Sequence, residues 1–169
     1  GPGDAWTKIG AINALVNSAI PRNGMSHKGY SKHNEAVSDL ERVSLGNYVR
    51  CRAGVCRENA LLTVLALHEA GFEARFAYFA MYDEEGDFIQ DHGLALVDID
   101  GTTYVIDSFR MLGRYFNGHR LADLLSPPAD GRYPLAGPLA AGNASDPGRW
   151  RFEPNPFPPV SRLWQSLRR

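Results

Sequence analysis

Cys56 is the residue best placed for covalent chemistry. It follows Gly54-Val55 and opens the run CRENALLTVLALHEA (56–70), good helix formers without Gly or Pro. A thiol in the first turn of a helix faces unpaired backbone N–H groups and the positive end of the helix dipole. Both favour the thiolate, which is the nucleophile. Arg52 and Arg57 flank it and add positive charge, and Gly54 leaves room for a close backbone approach such as a substrate carbonyl needs. A helical cysteine also fits a simpler role, as a small buried core residue. Two further groups bear on that choice. His92 stands in the apolar run HGLALV (92–97), and Asp107 ends the run TTYVID (102–107). An imidazole that takes the thiol proton, and a carboxylate that holds the imidazole's tautomer and charge, make a cysteine a nucleophilic catalyst.

The elements that must bring these residues together are legible. Residues 56–70 predict a helix that stops at Gly71, in the position where a left-handed residue ends helices. Residues 73–82 (EARFAYFAMY) read as a strand, 83–87 (DEEGD) as a charged turn, and 88–99 and 102–107 as two strands around Asp100-Gly101. Asp-Gly between apolar runs predicts a two-residue hairpin loop. In that register Ile99 pairs with Thr102, His92 opposes Phe109 and Asp107 opposes Leu94, so His92 and Asp107 are diagonal neighbours on one face. A one-residue slip would destroy the arrangement. Upstream, residues 4–19 carry a helical stripe of Trp6, Ile9, Ile12, Leu15, Val16 and Ala19 before Pro21. Residues 22–33 read as a polar loop, 34–45 as a short helix with Val37, Leu40 and Val43 inward, and 111–125 as another short helix. Helices followed by an antiparallel sheet give an α+β fold.

Composition bounds the rest. The 169 residues fit one domain with a real core, and 44% hydrophobic with 22% charged residues excludes wholesale disorder. A net charge of −1 leaves no field for a general nucleic-acid binder. No apolar run approaches the ~20 residues of a membrane span. Two cysteines, Cys51 and Cys56, cannot build a disulfide-rich scaffold or, alone, a structural zinc site, and His27, His33, His68, His92 and His119 form no H-x₃₋₅-H pair, so neither metal nor cofactor is expected. Gly1-Pro2-Gly3 reads as the scar of a cleaved tag, leaving 4–126 as the catalytic unit. Nine of the 11 prolines fall between Pro127 and Pro159, so residues 127–169 read as a Pro-rich extension, mostly loop or extended coil, packed on the same domain. That extension has six basic against three acidic residues, a solvated tail in the simplest reading, and ends in an amphipathic stretch with Leu163, Trp164 and Leu167.

The segments GVCRENALLTVLALHEAGFEAR (54–75) and DHGLALVDIDGTTYVIDS (91–108), with their order Cys56, His92, Asp107, resemble the transglutaminase-like, papain-like cysteine superfamily. The resemblance covers roughly residues 50–110. It implies a papain-like core with the nucleophile at a helix start packed on an antiparallel sheet. It implies Cys56 as nucleophile, His92 as general base and then acid, and Asp107 as the group that orients His92. The deamidase domains of dermonecrotic-type bacterial toxins and secreted effectors are similar in size. That branch implies attack on a protein glutamine, a thioester intermediate and hydrolysis to glutamate, by an effector acting in a target-cell cytoplasm. Transglutaminase crosslinking and cysteine proteolysis use the same three residues and stay open. So does an arylamine N-acetyltransferase-like activity, echoed by Arg52-Ala53-Gly54-Val55-Cys56-Arg57-Glu58-Asn59, and so does a binding module that has lost turnover. Animal transglutaminases carry a tryptophan beside the nucleophile where this chain has Val55 and Arg57, which favours hydrolysis over crosslinking.

The remaining candidates carry two readings each. The Cys56 backbone N–H and Gln90, two residues before His92, are candidate oxyanion donors, with a surface strand residue the alternative for Gln90. Glu58 and Asn59 suit a cap or salt bridge in the first helical turn, and either is also a candidate to touch substrate. Cys51 and Cys56 either form a redox-sensitive disulfide or stay unpaired thiols. His68 suits a helix C-terminus, His27, His33 and His119 read as surface residues, and Phe76, Tyr78, Phe79 and Tyr82 as sheet packing.

Overall fold

The computed structural model describes residues 2–21, 44–83, 85–109, 117–126, 139 and 151–154. The expected loop at 22–33, the bulk of the helix at 34–45, the residues 111–116 and the C-terminal amphipathic stretch lie outside the described residues, as do His27 and His33. The elements run α1 (Pro2–Ala19), α2 (Leu45–Cys51), α3 (Cys56–Glu69), β1 (Ala74–Tyr82), β2 (Phe88–Ile99), β3 (Thr102–Ile106), β4 (His119–Arg120), α4 (Leu121–Leu125) and β5 (Arg151–Pro154). All strand pairs are antiparallel, in the order β4-β3-β2-β1-β5. The α+β expectation holds, with the helix that begins at Cys56 ending just before Ala70 and Gly71 at φ +85°.

The hairpin register is the one the Asp-Gly turn predicts. Asp100 and Gly101 both have positive φ (49° and 76°), the geometry of a type I′ turn. Ile99 pairs with Thr102 and Ala95 with Ile106, the last pair of the ladder. Alternation along β2 divides the core. Ala95, Val97 and Ile99 pack with Trp6 and Ile9 of α1 and Val64 and Leu67 of α3. Leu94 and Leu96 pack with Phe79, Met81, Val105 and Leu124.

Three expectations are corrected, for Leu15, for residues 117–120 and for His119, and two further features add to the reading. Helix α1 starts at Pro2, inside the three residues set aside as a tag scar; proline suits a first helical position, where no N–H is needed. Leu15 is exposed, and the buried stripe runs instead through Trp6, Ile9, Asn13, Val16 and Ile20. Residues 117–120 are not helical: Asn117 and Gly118 turn, and β4 pairs with β3 before the short helix α4 begins at Leu121. The Pro-rich C-terminal region supplies an edge strand, β5, along β1. An edge tolerates Pro154, which cannot donate to a ladder.

His119 is buried, not a surface residue. Burial pushes its pKa down to about 4, against the opposing charge of Asp123. The unfolded chain takes up this proton below about pH 6.5 and the folded protein only near 4, so stability falls as pH drops through that window. We expect wild type to lose on the order of 2 kcal/mol there relative to His119→Gln, measured as urea midpoints at pH 7 and pH 4.5. Parallel losses in the two proteins would contradict it. His92, whose pKa is raised, stays protonated throughout that window in the fold and leaves the difference to His119.

Candidate active site

Helix α3 is fixed at its start by its own side chains. Glu58, 2% exposed, reaches back so that Oε2 accepts the Val55 N–H at 2.8 Å, and its other oxygen pairs with Arg57. The Arg57 charge is thus bound to Glu58 rather than left over for the thiol, and Arg52 is exposed, ending α2 in the left-handed region at φ 50°. Asn59 is fully buried; its Nδ2 donates to Ile20 O at 3.3 Å and Val55 O at 3.4 Å, tying the end of α1 to the start of α3. Glu58 and Asn59 thus both serve the helix start.

Gly54 does leave room, but protein fills it. A Cβ there would lie 2.9 Å from Ile20 Cγ2 and 3.0 Å from Glu58 Cβ. Gly54→Ala must push α1 and α3 apart, and we expect a cost of about 1–3 kcal/mol in denaturant unfolding. An unchanged midpoint would contradict that packing account. A second close approach is at Gly93, where a Cβ would lie 3.4 Å from Arg57 Cα and N. The bare backbone of β2 lets the first turn of α3 seat directly on the strand next to His92.

Here the three residues singled out by spacing come together. His92 and Asp107 are each 1% exposed, and His92 Nε2 donates to Asp107 Oδ2 at 3.0 Å. Burial opposes charge on the ring, but Asp107, by charge and hydrogen bond, and Cys56, by the same two effects, outweigh it and push the His92 pKa up to about 10. Phe109 packs its ring at 6.4 Å from the imidazole. Cys56 is half-buried.

Asp107 is held on all sides, by residues that spacing alone does not single out. Its Oδ1 accepts the Phe109 N–H at 3.0 Å. Asn117 brackets its backbone, donating from Nδ2 to Asp107 O at 2.7 Å and accepting the Asp107 N–H at Oδ1. Next door, Ser108 Oγ meets Thr63 Oγ1 at 2.9 Å, and since the Thr63 hydroxyl donates to Asn59 O at 2.8 Å, Ser108 is the donor. Asn17 Nδ2 donates to Ser108 O at 2.9 Å. Helices α1 and α3 are thereby tied to the residue beside Asp107. The signal for Asn117 in the sequence is only an Asn-Gly turn.

The other candidates fall elsewhere. Gln90 Nε2 lies 3.9 Å from Met81 Sδ. Cys51 is exposed and Cys56 half-buried, and both are free thiols in this structure. His68 caps the far end of the helix layer, its Nε2 2.6 Å from Ala74 O. Among the described residues no three His, Cys, Asp or Glu side chains gather to hold a metal ion, and no helix is long and apolar enough to cross a membrane. An open cleft of about 580 Å³ lined by Glu73, Asp98, Asp100 and Thr103 lies at the other end of β2, roughly 20 Å along the strand from His92.

Against known families, residues 9–116 match the transglutaminase-like domain, well over half of the chain. The chain belongs to the transglutaminase-like domain family. Comparison with curated proteins finds no match. A transglutaminase-like domain is a papain-like cysteine fold, and the α+β layout of helices on an antiparallel sheet is consistent with it. The matched span holds Cys56, His92 and Asp107 within one transglutaminase-like domain; it ends one residue short of the Asn117 that brackets Asp107.

Proposed function

We propose that this transglutaminase-like domain is a cysteine-dependent protein glutamine deamidase. The observation that carries the reading is the buried 3.0 Å contact of His92 with Asp107, on the same imidazole that Cys56 acts upon. Nε2–H is spent on Asp107, which leaves Nδ1 for the thiol proton. Cys56 Sγ attacks the side-chain carboxamide carbon of a glutamine, and the carbonyl π pair moves to oxygen. As the intermediate collapses, the C–N bond breaks and the nitrogen takes a proton from His92, leaving as ammonia. His92 then draws a proton from water, whose oxygen attacks the thioester carbon; the C–S bond breaks, glutamate forms and the thiol is restored. Asp107 stabilises the imidazolium that both steps require.

The dermonecrotic-toxin resemblance makes a target-cell protein the substrate class to try first. Three features support hydrolysis of a carboxamide: the Cys-His-Asp order, the membership in the transglutaminase-like family, and Val55 and Arg57 in place of a tryptophan beside the nucleophile. The test uses the purified chain with dimethylated casein, with and without a primary amine such as putrescine. Ammonia release with glutamine converted to glutamate is expected in both. Putrescine incorporation in place of hydrolysis would make the domain a transglutaminase, and new chain ends would make it a protease.

A further inference from the structure

An oxyanion formed on attack by Cys56 would meet the Cys56 backbone N–H at the helix start, and a second donor is needed. Tyr78 occupies the place for it. Strand β1 runs antiparallel to β2, so Ala74 pairs with Val97 and Tyr78 with Gly93. Phe76 packs with the cluster formed by α1 and α3, and Tyr78 continues that line by two residues toward the start of α3. Gly93, its cross-strand partner, is the residue on which Arg57 Cα and N rest. Tyr78 is therefore level with the first turn of α3, where the helix N–H groups point outward. Its ring is set by an edge contact with Phe76, centroids 5.0 Å apart at 73°. The side chain is half-buried.

We propose that the Tyr78 hydroxyl is a catalytic residue, donating a hydrogen bond to the oxyanion formed when Cys56 attacks an acyl carbon. The inference rests on the Cys56 reading above. No proton is transferred from the phenol: the carbonyl π pair moves to oxygen, the O–H of Tyr78 and the N–H of Cys56 share that charge, and both are released when the pair returns and the leaving group departs. The phenol is suited to the task because burial, then the charge of Cys56, hold its pKa well above the usual range; Arg57 opposes, and Glu58 and Asp91 add to the rise. It stays a donor wherever the enzyme works. Gln90, whose amide lies against Met81, is the weaker claimant.

Two reactions of the same sulfur separate the roles. Acetylation by p-nitrophenyl acetate passes through a tetrahedral oxyanion, whereas alkylation by iodoacetamide displaces iodide without one. With the intact chain, we expect Tyr78→Phe to slow Cys56-dependent release of p-nitrophenolate about 10²–10³-fold, while Cys56 alkylation changes by less than about twofold and the melting temperature is kept. Unchanged acetylation would overturn the proposal. A parallel loss in acetylation and alkylation would overturn it too, since Tyr78 would then be shaping the site. If wild type and Cys56→Ala release p-nitrophenolate equally, the Cys56 reading itself fails and takes this one with it.

Discussion

Cys56→Ala is expected to abolish glutamine-to-glutamate conversion, by about 10³-fold or more, with folding intact. The Asp107 carboxylate and the imidazole can polarise and protonate, but neither forms the thioester that divides amide hydrolysis into two lower barriers. The substitution also has little structural cost. Cys56 is half-buried at the first helical position, the cap there is made by Glu58 to Val55, and alanine is the best helix former. Ammonia release and thermal melting, read on the same preparations, check both halves. Activity retained by Cys56→Ala would remove the sulfur from the mechanism.

Asp107→Asn is the second large effect, and it shows in the pH profile as well as the rate. The substituted carboxamide keeps nearly the same shape for Phe109 and the Asn117 bracket, but it neither charges the imidazole nor enforces Nδ1 as the proton acceptor. Losses of about 10²–10⁴-fold are expected. In the proposed deamidation His92 must be protonated to expel ammonia, and Asp107 and Cys56 push its pKa to about 10 against the pull of burial. Wild-type activity should therefore hold well above pH 6.5 and fade as His92 loses its proton. Without the carboxylate, burial prevails, and the alkaline limb should move down by about 2 pH units or more. Rates from pH 5 to 10.5 test this; a lower plateau with an unmoved alkaline limb would mean that Asp107 does not govern the His92 proton.

The parts of the site set by local chemistry are legible in the sequence. Asp100-Gly101 demands a tight turn, and a period of two does the rest, so the pairing of Ala95 with Ile106 and the meeting of His92 with Asp107 follow from counting. The helix beginning at Cys56 declares itself through its composition and through Gly71. What is not legible depends on partners distant in sequence. Asn117 acts because β4 doubles back along β3, an alignment only two residues long. His119 is buried by the same turn, although it stands between a glycine and an exposed arginine that give no hydrophobic signal. Gly54 reads as a gap for substrate because the identity of the group that fills it, Ile20, is set by how α1 ends. Tyr78 looks like one aromatic among several; only the β1 register sets it opposite the glycine on which α3 rests.

The central claim is that His92 and Asp107 activate Cys56, and the chain carries its own control. Cys51 is an exposed free thiol, while Cys56 is half-buried. At pH 6.5 with limiting iodoacetamide, peptide mapping by mass spectrometry gives both alkylation rates from one sample. Accessibility alone favours Cys51. The account predicts that Cys56 reacts about tenfold faster or more, and that Asp107→Asn erases the advantage. Equal rates, or Cys51 reacting first, would contradict it.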